Sequence, residues 1–111
     1  MKTEKIFIDN IPTLVWGEES EKVYIFVHGK QSAKEYAKQF ASVAESKGFQ
    51  TVSFDLPGHG ERTDSERCDV WNGKKDLTKI ADYAFHRWKN VSLFACSLGA
   101  YFSLETLSER N

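Results

Sequence analysis

The chain has 111 residues, 41% hydrophobic and 28% charged, which gives room for one domain with a modest core and excludes a disordered or fibrous protein. A formal net charge of -1 gives no electrostatic reason to expect nucleic acid or an anionic membrane as partner. No stretch approaches the roughly 20 apolar residues that span a bilayer, the start MKTEKIFIDN lacks a signal-peptide core, and Cys68 and Cys96 form no CxxC pair. Two reduced thiols and a cytoplasmic location are the expectation.

Residues 4–9 and 12–16 are short runs rich in β-branched and aromatic side chains, joined by a tight Asn10-Ile11 connection, and read as an antiparallel hairpin. A polar turn, Gly17-Glu18-Glu19-Ser20-Glu21, follows. The next run, VYIFV at 23–27, is apolar throughout, as a strand buried on both faces should be. His28-Gly29-Lys30-Gln31 ends it.

Ser32 and Glu35 have the S-x-x-E spacing of a capping box, which predicts a helix start. Tyr36, Ala37, Phe40, Ala41 and Ala44 then share one face at helical spacing, and Gly48 supplies a C-terminal cap. TVSF at 51–54 is a second strand of the buried type. Residues 55–75 read as a long, exposed polar loop. A helix is expected over about 76–89, with Leu77, Ile80, Ala81, Ala84, Phe85 and Trp88 in register, and VSLFA at 91–95 as a further buried strand. Residues 98–107 turn helical again. No repeat or linker divides the chain, so residues 1–111 are read as a single unit.

Strands of four or five residues alternating with longer helices require right-handed crossovers and a mostly parallel sheet covered on both faces. In such α/β sheets reactive groups gather at the carboxyl ends of the strands. Three segments are expected there: 28–31, 55–62 and 96–99.

The last of these is Ala95-Cys96-Ser97-Leu98-Gly99, between a buried strand and a helix. A serine in a sharp strand-to-helix turn projects its Oγ from the top of the sheet, and Ala95 and Gly99 provide the small flanking residues such a turn needs. The following helix aims its N-terminus at developing negative charge. Taken alone the pentapeptide is equally served by a serine that merely caps a helix. Two neighbouring features favour the nucleophile. The His28-Gly29 turn can present the Lys30 backbone N–H to an oxyanion, with the Leu98 N–H as second donor. Asp55-Leu56-Pro57-Gly58-His59-Gly60 places a tight Pro/Gly turn after the next strand.

HG, then DLPGHGER, then A-x-S-x-G, in that order and each after an apolar strand, resembles the first half of an α/β-hydrolase. Small serine esterases, lysophospholipases and serine aminopeptidase-like hydrolases are the nearest pattern. The resemblance covers essentially all 111 residues, and Ala95 stands where the family more often has glycine. It implies Ser97 as nucleophile, His28, Gly29 and Gly99 as supporting loop residues, a small-molecule acyl substrate, and no metal or organic cofactor.

It also implies that something lies elsewhere. The family order is Ser, then acid, then His, whereas His28, His59 and His86 all precede Ser97. The expectation is therefore a truncated half whose acid and base come from further chain, and whose last strand lies at an open sheet edge prone to self-association. A serine without a base is a poor nucleophile, so the chain alone is expected to be inactive, and a non-catalytic half-domain or interaction protein is the alternative.

Three other readings are weaker. The only G-x-G is Gly58-His59-Gly60, Thr63 stands where a dinucleotide fingerprint needs its third glycine, and no G-x-x-x-x-G-K-[ST] is present. Asp55, His59, Glu61, Asp64 and Cys68 match no metal-ligand spacing and read as a solvated loop. Cys96 occupies the elbow position that points away from the reacting centre. Trp71 reads as a loop anchor and Tyr101 as core packing.

Overall fold

The computed structural model describes residues 1–28, 33–56, 60–62 and 70–95, with the backbone alone at 62, 70 and 71. Strands β1 (Thr3–Ile8) and β2 (Ile11–Trp16) form the expected antiparallel hairpin, with Ile8 opposite Ile11. The connection is Asp9-Asn10, one residue earlier than expected. Both residues have positive φ, 48° and 69°, the two-residue turn whose twist matches that of the strands. Asp and Asn tolerate that left-handed conformation better than an isoleucine. Ile11 is thereby released into the core, where it is 2% exposed.

The hairpin joins three parallel-type strands: β3 (Lys22–Val27), β4 (Gln50–Phe54) and β5 (Asn90–Ala95). The sheet order is β1-β2-β4-β3-β5. β3 is parallel to both β4 and β5, while β2 runs antiparallel to β1 and β4. The α/β architecture is as expected, with a mixed sheet in which the parallel part is the β4-β3-β5 segment. Pro12, which lacks an N–H, stands where the β2–β4 pairing ends, and its carbonyl still accepts the Asp55 N–H at 3.1 Å.

Among the described residues one α-helix lies on each face. Alternate residues of β3 explain why VYIFV is apolar throughout. Val23, Ile25 and Val27 point toward helix α2 (Val70–Arg87), in a core with Ile11, Val52, Phe54, Leu77, Ile80 and Ala84. Phe26 points the other way, into a smaller cluster with Leu14, Trp16, Ala37 and Ala41 beneath helix α1 (Lys38–Ser46). Trp88 closes the first core, its Nε1 donating to Gln50 Oε1 at 2.7 Å.

Several expectations are corrected. The segment expected to open a capped helix is a 3-10 turn, Lys34–Ala37, that leads into α1. Its N-cap is Ala33 without a side-chain hydrogen bond, the Glu35 carboxylate meets Lys34 Nζ at 2.9 Å, and the expected cap Ser32 lies outside the described residues. Tyr36, placed by this turn outside the helical register, is exposed, whereas Ala37, Ala41 and Ala44 are buried and Phe40 half-buried as expected. The C-terminal reading of Gly48 is correct. It has φ +85°, its N–H bonds Glu45 O at 3.0 Å, and the Phe49 N–H bonds Ala44 O at 2.9 Å, the paired pattern of a Schellman cap.

Helix α2 begins at Val70, six residues before the expected start, so the 55–75 interval is not one long loop. It also holds a short 3-10 turn, Gly60–Arg62. Asn72-Gly73-Lys74-Lys75 shows no apolar periodicity, yet Gly73 and Asp76 are buried and tertiary packing carries the helix through them. Phe85, expected on the core face, is 53% exposed. β5 is not a buried strand: its residues alternate between exposed and half-buried, and among the described residues it pairs with β3 alone.

Candidate active site

β4, β3 and β5 end flush. Val27 lies opposite both Phe54 and Ala95 in the parallel ladders, so the chain leaves all three strands at one edge of the sheet. His28 follows β3, Asp55 follows β4, and the Cys96-Ser97 pair follows β5. The strands that precede the three segments singled out from the sequence thus end side by side.

His28 is 1% exposed, and its Nε2 accepts the Leu56 backbone N–H at 2.9 Å. A ring nitrogen that accepts a hydrogen bond carries no proton, so the imidazole is neutral and bound to the backbone that follows β4. It ties two strand exits together, which agrees with a supporting role and leaves it no freedom to act as a base.

Asp55 and Lys34 are the feature that sequence reading missed. The side chains are 0% and 1% exposed, so Asp55 belongs to the interior and not to the solvated loop expected there. Lys34 holds the aspartate at both ends. Its backbone N–H donates to Oδ1 at 2.9 Å and its Nζ to Oδ2 at 2.8 Å. The same ammonium donates to Glu61 Oε2 at 2.7 Å. The Glu61 N–H returns to Asp55 Oδ2 at 3.1 Å, and Lys5 Nζ on β1 reaches Glu61 Oε1 at 2.8 Å. Gly60, with φ +53°, lies so close that a Cβ there would collide with the Asp55 carboxylate. Glycine is needed at that point for both reasons.

Burial by itself lowers the Lys34 pKa, but hydrogen bonds from its ammonium to the Asp55, Glu61 and Glu35 carboxylates outweigh it and hold the ammonium above the ordinary lysine value. The Lys34 and Lys5 ammoniums pull Glu61 down to about 2. The pair also anchors the 3-10 turn from behind. Ser53 Oγ donates to the Lys34 carbonyl at 2.9 Å and accepts the Trp16 indole N–H at 2.9 Å. The local signal for this arrangement was Asp55 itself, since a carboxylate directly after a strand buried on both faces needs a cation.

Ser97, the oxyanion donors Lys30 and Leu98, and the supporting Gly29 and Gly99 lie outside the described residues, as do Ser32, Cys96, Tyr101 and the helix expected over 98–107. Of the residues drawn into a hypothetical metal loop, His59, Asp64 and Cys68 are also outside. Asp55 and Glu61 are engaged by Lys34, and no metal-binding group of three or more His, Cys, Asp or Glu occurs among the described residues. Trp71 lies in α2 and not in a loop.

No protein-family model matches the chain, and no curated protein matches it. Solved structures do. TT1662 from Thermus thermophilus is 25% identical with a TM-score of 0.82, over 97% of this chain and 51% of that one. A cold-adapted esterase from an Arctic intertidal metagenomic library is 18% identical with a TM-score of 0.72, over 94% and 53%. Est1E from Butyrivibrio proteoclasticus, solved with ferulic acid, is 16% identical with a TM-score of 0.75, over 96% and 47%. Epoxide hydrolases and a thioesterase domain are among further matches. The chain spans about half the length of the first three structures. Its fold is that of the N-terminal half of an α/β-hydrolase.

Proposed function

We propose that this chain supplies the nucleophile-bearing half of a serine hydrolase that cleaves acyl esters, or the related thioesters and amides, through an acyl-enzyme on Ser97. The observation that carries the reading is the flush ending of β4, β3 and β5. It sets Val27 and Ala95, the last residues of β3 and β5, side by side, and the reading is that the A-x-S-x-G segment starting at Ala95 meets the oxyanion donors there. In this reading Ser97 Oγ attacks the acyl carbonyl, and the backbone N–H groups of Lys30 and Leu98 hold the tetrahedral oxyanion. Collapse of that intermediate breaks the bond to the alcohol, thiol or amine, which leaves with a proton, and water then hydrolyses the acyl-enzyme to a carboxylic acid and free Ser97. Loss of one such donor typically costs about 100- to 1,000-fold in turnover. The chemistry calls on no metal or organic cofactor.

The acid and the histidine of the triad come, in this proposal, from chain outside these 111 residues. His28 is committed to Leu56. His86 is exposed near the C-terminal end of α2, which leads into the start of β5 and so to the edge opposite the candidate site. Its Nδ1 lies 2.8 Å from the Asp82 carbonyl. The esterases and thioesterase domain among the matched structures support acyl chemistry. The remaining assignments are a small-molecule substrate, no nucleic-acid or membrane partner, and the cytoplasm; no described helix is long and apolar enough to cross a bilayer. A second reading, a non-catalytic half that associates through β5, is favoured by that strand having β3 as its one sheet neighbour among the described residues.

The test is hydrolysis of a short-chain aryl ester by the protein at its natural length, followed for a burst of released phenol. Ser97→Ala is expected to remove the burst and lower turnover at least ~1,000-fold. Turnover unchanged in that variant excludes the assignment.

A further inference from the structure

His28 and Lys34 flank the segment to which the oxyanion donor Lys30 is assigned. Both of these flanking residues are fastened to one place, the exit of β4. At the near end His28 Nε2 takes the Leu56 N–H. At the far end the Lys34 backbone N–H and ammonium take the two oxygens of Asp55, the residue just before Leu56. The two fastenings lie side by side, at residues 55 and 56, inside the protein where no water competes for them. Glu61 and Gly60 complete the seat: the Glu61 N–H fixes the outer carboxylate oxygen, and only a glycine at 60 leaves room for it.

We infer that Lys34 and Asp55 are positioning residues for the hydrolytic reaction, a buried ion pair that fixes residue 34, at the end of the segment assigned to donate to the oxyanion, against the exit of β4. This rests on the hydrolase reading above. Neither residue touches the reacting atoms. Their effect is geometric, and a donor misplaced by about 1 Å costs on the order of 100-fold in rate. The alternative is that the pair serves stability alone. A buried ion pair is weak evidence of net stabilisation, because an apolar replacement of similar volume is often as stable, so the two roles separate experimentally.

The experiment compares wild type, Lys34→Arg and the double variant Lys34→Met/Asp55→Asn, all at natural length. The double variant removes both charges together, so it leaves no unpaired buried ion and is expected to fold. Two readouts are taken: kcat and KM on the aryl ester, and peptide-resolved hydrogen exchange over residues 29–34. The double variant should lose about 10- to 100-fold in kcat with KM within about twofold. Its 29–34 amides should exchange about tenfold faster while those of β2 and β4 keep their protection. Lys34→Arg, which keeps the cation, should recover most of both. A double variant that melts like wild type with unchanged kcat and unchanged 29–34 exchange overturns the inference. The exchange readout decides it even if wild type proves inactive on esters, a result that would instead count against the hydrolase reading.

Discussion

Lys34 has three N–H donors on its ammonium, and three carboxylates receive them: Asp55 at 2.8 Å, Glu61 at 2.7 Å and Glu35 at 2.9 Å. Of these Glu61 is the partner that reports on pH. The Lys34 and Lys5 ammoniums hold its folded pKa at about 2, below the ordinary 4.5 of a glutamate. Its contribution to stability is therefore complete above about pH 4.5 and is lost as pH falls toward 2. Glu61→Gln should be less stable than wild type at pH 7, with the difference closing over that acid window. Thermal melts from pH 7 to pH 2 check this, and a gap that persists at pH 2 contradicts it. The two glycines with room to compare give a second prediction. Gly48→Ala meets nothing within 4 Å and should cost only the left-handed backbone term, about 1–2 kcal/mol. Gly60→Ala adds a collision with the Asp55 carboxylate and should cost clearly more in urea denaturation.

At the scale of elements, the 3-10 turn Lys34–Ala37 is held to the sheet through Ser53, which bridges the Lys34 carbonyl and the Trp16 indole. Ser53→Ala leaves both groups buried without that partner and should cost about 1–3 kcal/mol. Ser92→Ala, at an exposed position of β5, should stay within about 0.5 kcal/mol. Denaturant midpoints of the two variants make the comparison. The same contrast explains what could be read from the sequence. β3 was legible because it is sandwiched, so all five residues VYIFV are apolar. Gly48 was legible because a Schellman cap has a chemical requirement at one position. The start of α2 was not, because Asn72-Gly73-Lys74-Lys75 is helical by virtue of what packs against it and not of its own pattern. The 3-10 turn at 34–37 was not legible, because S-x-x-E spacing does not tell a 3-10 turn from the first turn of an α-helix. The Lys34–Asp55 pair spans 21 residues, and no local period encodes a contact of that range.

For the molecule as a whole, β5 matters most. It has one neighbour among the described residues, β3, and Phe94 on it is 42% exposed although it stacks on Phe26 and Phe40 at 5.6 and 4.5 Å. An unpaired strand edge bearing an aromatic side chain is a template for association. The 111-residue chain is expected to sediment as a concentration-dependent mixture, and Ser92→Lys on the same edge should shift it toward monomer. A chain that is monomeric at all concentrations contradicts this. The common end of β3, β4 and β5 was legible at this scale because strand–helix alternation implies parallel strands, and the matched structures share the fold over nearly all of this chain. What binds there is set by residues that no pattern in these 111 reveals.

The central claim is that Ser97 is the nucleophile. It is tested most directly by treating the protein at its natural length with a fluorophosphonate and mapping the modified residue by peptide mass spectrometry. The account predicts a single label on the peptide containing Ser97, absent in Ser97→Ala and retained in Cys96→Ala. A label that persists in Ser97→Ala, or that maps to another residue, would contradict it.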